Sequence, residues 1–472
     1  MARSHRIMDW DAEDTAAWEA GNKNVARRNL ICTVAGDHVA FSIWSLWSVM
    51  ALFMPEPIFG FTAGDKLLLG ATATFVGGCV RIPYTLGIAK FGGRNWTVFS
   101  ALVLLIPTVG TIVLLAKPGL PLWPYVVCAA LTGLGGGNYA ASLANVNAFY
   151  PQRLKGWALG VNAGFGNIGV AGIQVVGLVV LAVAGNRQPY WVCAVYLVLL
   201  TVVAIAAALL MDNLDHSIEV GHIRSILSIP DTWVITLLYT CAFGSWIGFA
   251  FAFGQVLHVN FESMGQSPGE ASLHTLQIAF LGPLLGSLSR VVGGKVSDRI
   301  GGGRVTLAVF AGMILAAGLL VALSTHDDYA HGPNHANGPA HALTLAGYVV
   351  GFIVLFILAG VGNGSVFKLI PSVFEARSRS LDVDETERRH WARTHAGALI
   401  GFAATVGALG GVGINLTLRQ SYASTGSETS AYWIFLAAYV VASVLTWRRY
   451  VRRPSSAPAV PGSEHTSAPA RL

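Results

Sequence analysis

Residues 71–94 read ATATFVGGCVRIPYTLGIAKFGGR, and residues 281–304 read LGPLLGSLSRVVGGKVSDRIGGGR. Each stretch sets one arginine, Arg81 or Arg290, inside a run of apolar and small residues. Each run then ends in a glycine cluster and a second arginine, Arg94 or Arg304. The residues before Arg81 back to Ala71 are apolar or small, and the IPYTLGIA that follows it is apolar too. A guanidinium at mid-bilayer costs about 2.5–3.5 kcal/mol on insertion scales, so a chain keeps one only where it faces a partner or a water-filled path.

The rest of the chain supports a membrane reading. Hydrophobic residues make up 54% and charged residues 11% of the 472 positions, against roughly 25% charged in soluble domains. The 54 glycines suit membrane helices, where small residues let backbones approach. Runs long enough to cross a bilayer, about 20 residues each, fall near 30–54, 67–90, 96–116, 121–149, 157–184, 190–211, 232–257, 272–296, 304–324, 343–374, 395–418 and 430–447. They are numbered here as spans 1 to 12. Residues 1–29 are polar and charged, unlike a cleavable signal peptide, so the first span is expected to act as its own insertion signal. Of the 30 Lys and Arg residues, 23 fall in the tails and the even-to-odd loops, counting Lys90, Lys295 and Arg304 on the span edges that border those loops. Lys66, Lys117, Arg187 and Arg419 fall in the opposite loops, and Arg81, Arg290 and Lys368 fall inside spans. The positive-inside rule therefore places both termini in the cytoplasm.

The arginine stretches belong to a longer repeat. Span 4 holds GLGGGNYAAS (133–142) and span 10 holds GVGNGSVFK (360–368). Span 5 holds AGFGNIGVAG (163–172) and span 11 holds VGALGGVGIN (406–415). Matches in the same order predict an all-α membrane protein of twelve transmembrane helices in two pseudo-symmetric six-helix halves. The expected division is a cytoplasmic tail (1–29), one half (30–211), a linker (212–231), the other half (232–447) and a disordered tail (448–472). Such halves make alternating-access carriers with the site at their interface.

Two equivalent arginines, one from each half, with almost no intramembrane acid to cancel them, describe a pocket for an anion. The planar guanidinium fork donates parallel hydrogen bonds and stays charged, which suits a small oxyanion. Gly164, Gly166, Gly169 and Gly172, and likewise Gly407, Gly410, Gly411 and Gly413, give small helix faces. Such faces serve tight packing, or let one half rock against the other. Asp37 is the carboxylate well inside a predicted span, with His38 beside it. It is a candidate proton site, with bonding to helix ends or pairing to a basic residue as the alternatives. Lys368 is a possible third cation near the anion.

Other chemistry finds little support. No nucleophile–base pair, cofactor loop or metal cluster occurs, so an enzyme is not expected. No basic stripe interleaved with aromatics suggests nucleic acid. The five cysteines lie in apolar runs without a CxxC pair and read as packing residues. The loop near 325–342 carries His326, His331, His335 and His341, but without ligand spacing it reads as an outer loop. The charged stretch 375–394 reads as a solvated linker.

The segment GGKVSDRIGGGR (293–304) resembles the cytoplasmic loop motif of the major facilitator superfamily. That likeness implies that Asp298 and Arg299 latch helix ends, although GIAKFGGR (87–94) lacks the acid. A closer resemblance, to the nitrate/nitrite porter family, is carried by residues 133–172, LLYTCAFGSWIGF (237–249), GVGNGSVFKLIP (360–371), GFAATVGALGGVG (401–413) and both intramembrane arginines. It extends over about residues 25–450. It implies that Arg81 and Arg290 hold the anion, that Asn167 donates to it, that Tyr139 and Phe243 sandwich it, and that Tyr239 assists. It also implies a monomeric carrier of nitrate or nitrite in the bacterial cytoplasmic membrane, without cofactor. Members of the family either take up nitrate with protons or exchange it for nitrite. Asp37 and Lys368 tilt the expectation toward proton symport, with nitrate/nitrite antiport and nitrite export as the alternative. A carrier of another small anion, or a nitrate sensor, ranks lower. A sugar or drug carrier would bring carboxylates or polar groups to the cavity, and a sensor would bring a soluble signalling domain.

Overall fold

The structure is a computed structural model that describes residues 5–185, 188–214, 222–331 and 342–452. His335, His341, Arg187 and the tail from 454 lie outside the described residues, as does the side chain of His331. Helices long and apolar enough to cross a membrane run over Thr15–Phe53, Gly93–Leu115, Leu122–Phe149, Arg153–Ala184, Tyr190–Leu210, Pro230–Ser263, Pro268–Ile300, Gly302–Ala330, Leu343–Ser378, Glu385–Thr425 and Thr429–Val451. With the pair Ala63–Cys79 and Arg81–Phe91, bent by 43° and counted as one span, they number twelve. Each coincides with one expected span. Apolar side chains such as Val183 and Leu315 stand out from the bundle, 84% and 76% exposed, as a lipid-facing surface requires.

Prolines set three of the breaks. A proline lacks the N–H that would reach the carbonyl four residues back, and its ring presses on that carbonyl. Pro83 points this defect at Cys79, where the first part of span 2 ends. Pro107 points it at Val103 in span 3, and Pro283 at Ala279 in span 8, and each helix is interrupted for one residue there. Arg81 is therefore the first residue after a bend.

The repeat is visible in the caps. Spans 2 and 8 begin with reciprocal capping boxes, Thr62 with Asp65 and Ser267 with Glu270. These satisfy two of the free N–H groups at each helix start. The same two helices end at Gly92 and Gly301, with φ of 83° and 92°, a left-handed conformation that favours glycine.

Two features lie beyond the sequence reading. The first helix starts at Thr15, inside the presumed tail. Ahead of it, Arg6–Ile7 pairs in parallel with Asn213–Leu214, while Asp212 takes Arg28 and His5. The end of span 6 thus holds the N-terminal segment. Asp327 is the other difference: it lies beyond the predicted end of span 9, yet it is fully buried and accepts from the Tyr348 hydroxyl at 3.1 Å.

The halves meet through spans 1, 2 and 5 on one side and 7, 8 and 11 on the other. Ser272 donates to Leu52 O at 2.6 Å and Gln174 to Ala250 O at 3.1 Å. Gly70 lies against Phe251, and Gly78 against Ala408 and Leu409.

Candidate anion-binding site

Glycines make the room for this site. A Cβ at Gly77 or Gly136 would lie 2.4 or 2.6 Å from the Trp44 indole. Spans 2 and 4 thereby open a slot for Trp44, whose Nε1 donates to Ala73 O at 2.9 Å. In the other half, a Cβ at Gly407 would meet the Tyr239 ring at 2.5 Å. The glycine-rich runs thus draw large aromatic side chains to the junction of the halves.

Arg81 is completely buried. Its Nε donates to Gly136 O at 3.2 Å, and its Nη1 donates to Ala404 O of the opposite half. Its guanidinium carbon lies 5.5, 5.2 and 5.1 Å from the ring centres of Trp44, Tyr139 and Phe243. Arg290 donates from Nη2 to the Tyr139 hydroxyl, again in the opposite half, at 2.7 Å. It sits 5.7 Å from the Tyr139 ring and 5.0 Å from Phe367. Both cations share the Tyr139 ring and are close enough to repel each other. Among the described residues neither makes an ion pair. Asp37 is the acid within electrostatic reach of Arg81.

Both guanidiniums keep a spare donor. Arg81 Nη2 and Arg290 Nη1 are buried without a hydrogen-bond partner of good geometry, and so is the Tyr239 hydroxyl, which faces Arg290. A buried, unpaired charged donor is costly, and a small anion is the ligand that satisfies such donors. Tyr239 stacks between Phe243 and Phe367, with centroids at 5.5 and 4.7 Å and interplanar angles of 11° and 7°. Flat faces and forked donors suit a planar ion with spread charge.

Of the residues singled out from the sequence, the structure gathers Arg81, Arg290, Tyr139, Tyr239 and Phe243. Asn167 is buried with its amide oxygen unpaired. Lys368 is placed differently from the expectation. Its Nζ pairs with Asp298 at 2.8 Å, both side chains about half exposed. It follows Phe367 directly, and one step along a helix turns a side chain by roughly 100°, so Phe367 faces Arg290 while Lys368 faces away. Asp298 therefore ties span 8 to span 10 inside one half, and Arg299 is exposed.

The glycine faces also have defined neighbours. A Cβ at Gly166 would meet the Asp37 carboxyl, one at Gly169 the His38 carbonyl and one at Gly172 the His38 ring. These glycines pack span 5 on span 1 within one half. Gly407 and Gly410 pack span 11 on span 7, while Gly411 touches Ile247 and also Thr74 of the other half. Gly164 and Gly413 have no neighbour within 4 Å. The reading of glycine faces sliding between halves is therefore narrowed to Gly411.

Sequence reasoning missed Trp44, Phe367 and the carbonyls of Gly136 and Ala404. Phe367 lay within a quoted motif, but nothing in the sequence distinguished it from Lys368. Among the described residues no three His, Cys, Asp or Glu side chains gather as a metal site would require.

Comparison with known proteins agrees with this architecture. The family model of the Major Facilitator Superfamily matches residues 39–414. The chain is 33% identical over 473 residues to the nitrate/nitrite transporter NarU of Escherichia coli (strain K12), covering 95% of this chain and 97% of that protein. It is 30% identical over 476 residues to the probable nitrate/nitrite antiporter NarK2 of Thermus thermophilus, covering 97% and 99%. In fold it is similar to the crystal structure of a D-xylose-proton symporter, with a TM-score of 0.62 at 14% identity, covering 90% and 98% of the two chains.

Proposed function

The chain belongs to the nitrate/nitrite porter family of the major facilitator superfamily, and from that premise we propose that it carries nitrate and nitrite across the bacterial cytoplasmic membrane by alternating access at Arg81 and Arg290. The observation that carries this is the pair of buried guanidinium nitrogens, one from each half, that lack partners. The relatives' names supply the choice of anion.

The geometry also suggests how occupancy is linked to motion. Each arginine is bonded to the opposite half, Arg81 to Ala404 and Arg290 to Tyr139. An anion between them takes the spare Arg81 Nη2 and Arg290 Nη1 beside those bonds, so binding adds contacts to substrate on the same guanidiniums that tie the halves together. Substrate can shift the equilibrium only through such differential contacts. Tyr139, Phe243, Phe367 and Trp44 close round the ion and exclude water, and Asn167 contributes a further amide. Both termini face the cytoplasm in this reading, and the carrier works as a monomer.

Uptake with protons is the favoured coupling, because Asp37 is fully buried and faces Arg81. Exchange of nitrate for nitrite is the second reading. The pairing of Lys368 with Asp298 favours it by removing one titratable group from the site, and the Thermus relative bears the name of an antiporter.

Isotopic nitrate flux into proteoliposomes tests the function. Uptake well above protein-free vesicles, driven either by internal nitrite or by an inward proton gradient, is the expected result. Failure of both drives overturns the carrier reading. A response to internal nitrite alone removes symport.

A further inference from the structure

We propose that Asp37 is the residue on which the co-transported proton rides, and that Gly166 provides the dry seat that keeps its carboxyl within reach of Arg81. The proposal rests on the proton-coupled reading and adds its site.

Asp37 lies midway along span 1 with no exposed surface. Neither of its oxygens makes a hydrogen bond of good geometry, and no basic side chain lies within ion-pair distance among the described residues. The neighbours are polar yet uncharged on most sides. Asn138 and Ser142 of span 4 face it, and Ser142 accepts from Asn162 of span 5 at 2.8 Å. Span 5 otherwise presents glycine. A Cβ at Gly166 would stand 2.4 Å from Asp37 Oδ2, so any side chain there would displace the carboxyl.

The charged group that faces Asp37 is Arg81, from span 2. His38, on the same helix, is turned away, with its Nδ1 bonded to Phe165 O at 3.0 Å. Tyr196 of span 6 lies beyond it, near the His38 ring at Gly172. Among the described residues Asp37 is the carboxylate that interacts with Arg81 of the anion site.

The consequence is a reciprocal linkage. An ionised Asp37 competes with nitrate for the field of Arg81. A proton on the carboxyl cancels that competitor and leaves the guanidinium to the substrate. By thermodynamic necessity the bound anion favours the protonated acid by the same factor. Proton and anion then enter together and leave together, with no bond made or broken except the O–H of Asp37.

The test is nitrate affinity against pH, read from calorimetry on the detergent-purified full chain, with flux in proteoliposomes alongside. Wild type should bind nitrate about 5- to 150-fold more tightly at pH 5.5 than at pH 8, the usual range of such couplings. Asp37→Asn should bind with an affinity that no longer changes with pH, and its flux should ignore an imposed proton gradient. Asp37→Ser, smaller and also uncharged, keeps the test open if the amide variant does not fold. Wild type without any pH response would remove the proton-coupled reading itself. Wild type that responds, with both variants responding equally, would leave that reading standing and overturn the assignment to Asp37.

Discussion

Replacing Arg290 by lysine separates charge from shape. The native guanidinium does two things at once: Nη2 holds the Tyr139 hydroxyl at 2.7 Å, and Nη1 is left unpaired in a buried setting. Lysine keeps the positive charge but has a single nitrogen, and it cannot lie flat 5.0 Å above Phe367 as the guanidinium does. If it serves the anion it leaves Tyr139, and if it serves Tyr139 it leaves the anion. The loss is at least one charge-assisted hydrogen bond, worth about 1.5–3 kcal/mol. At about 1.4 kcal/mol per tenfold, nitrate affinity should fall roughly 10- to 150-fold. Calorimetric titration with nitrate in detergent measures this directly, and the KM of exchange against internal nitrite should move in the same direction. Arg81→Lys should cost more, because Arg81 also loses its anchors on Gly136 and Ala404. A dissociation constant for Arg290→Lys within threefold of wild type would refute the reasoning. Positive charge alone would then account for recognition, and the fork would be incidental.

Further outcomes follow from the same contacts. Lys368→Gln should change nitrate affinity by less than about threefold, because an exposed ion pair contributes about 0–1 kcal/mol and Lys368 points away from the site; a large loss of affinity would put Lys368 back beside the anion. Gly169→Ala should lower the thermal unfolding midpoint, since its Cβ would stand 2.0 Å from the His38 carbonyl and overpacking costs about 1–3 kcal/mol. Gly164→Ala, with no neighbour within 4 Å, should leave the midpoint near wild type, and equal midpoints for the two variants would contradict the packing described for span 5. Tyr139→Phe removes the hydroxyl that holds Arg290, and nitrate counterflow should show a raised KM.

Much of this protein is written in local sequence. Membrane spans depend on the composition of about 20 consecutive residues, so all twelve are legible in the sequence. The paired stretches around Arg81 and Arg290 announced two equivalent halves, because an arginine in an apolar run demands an explanation wherever it occurs. The family motifs named Tyr139, Tyr239 and Phe243, and these three do meet the arginines. The fold at the N-terminus was less legible: residues 6 and 7 gain their strand only by pairing with 213 and 214, a contact between distant segments.

What remained for tertiary structure was helix rotation and the meeting of distant spans. Phe367 and Lys368 are neighbours in sequence, yet one stacks against Arg290 and the other pairs with Asp298. Hydropathy says that a helix spans, but it does not say which way its faces turn. The roles of the glycines were settled in the same way, since Gly136 and Gly407 matter for the rings of Trp44 and Tyr239 lodged against them. The bonds from each arginine to the opposite half exist only once both halves have packed. Sequence determined that two cations lie within the bilayer, because that is a property of each segment alone. Their shared pocket was decided by packing, because it belongs to segments that lie far apart in the chain.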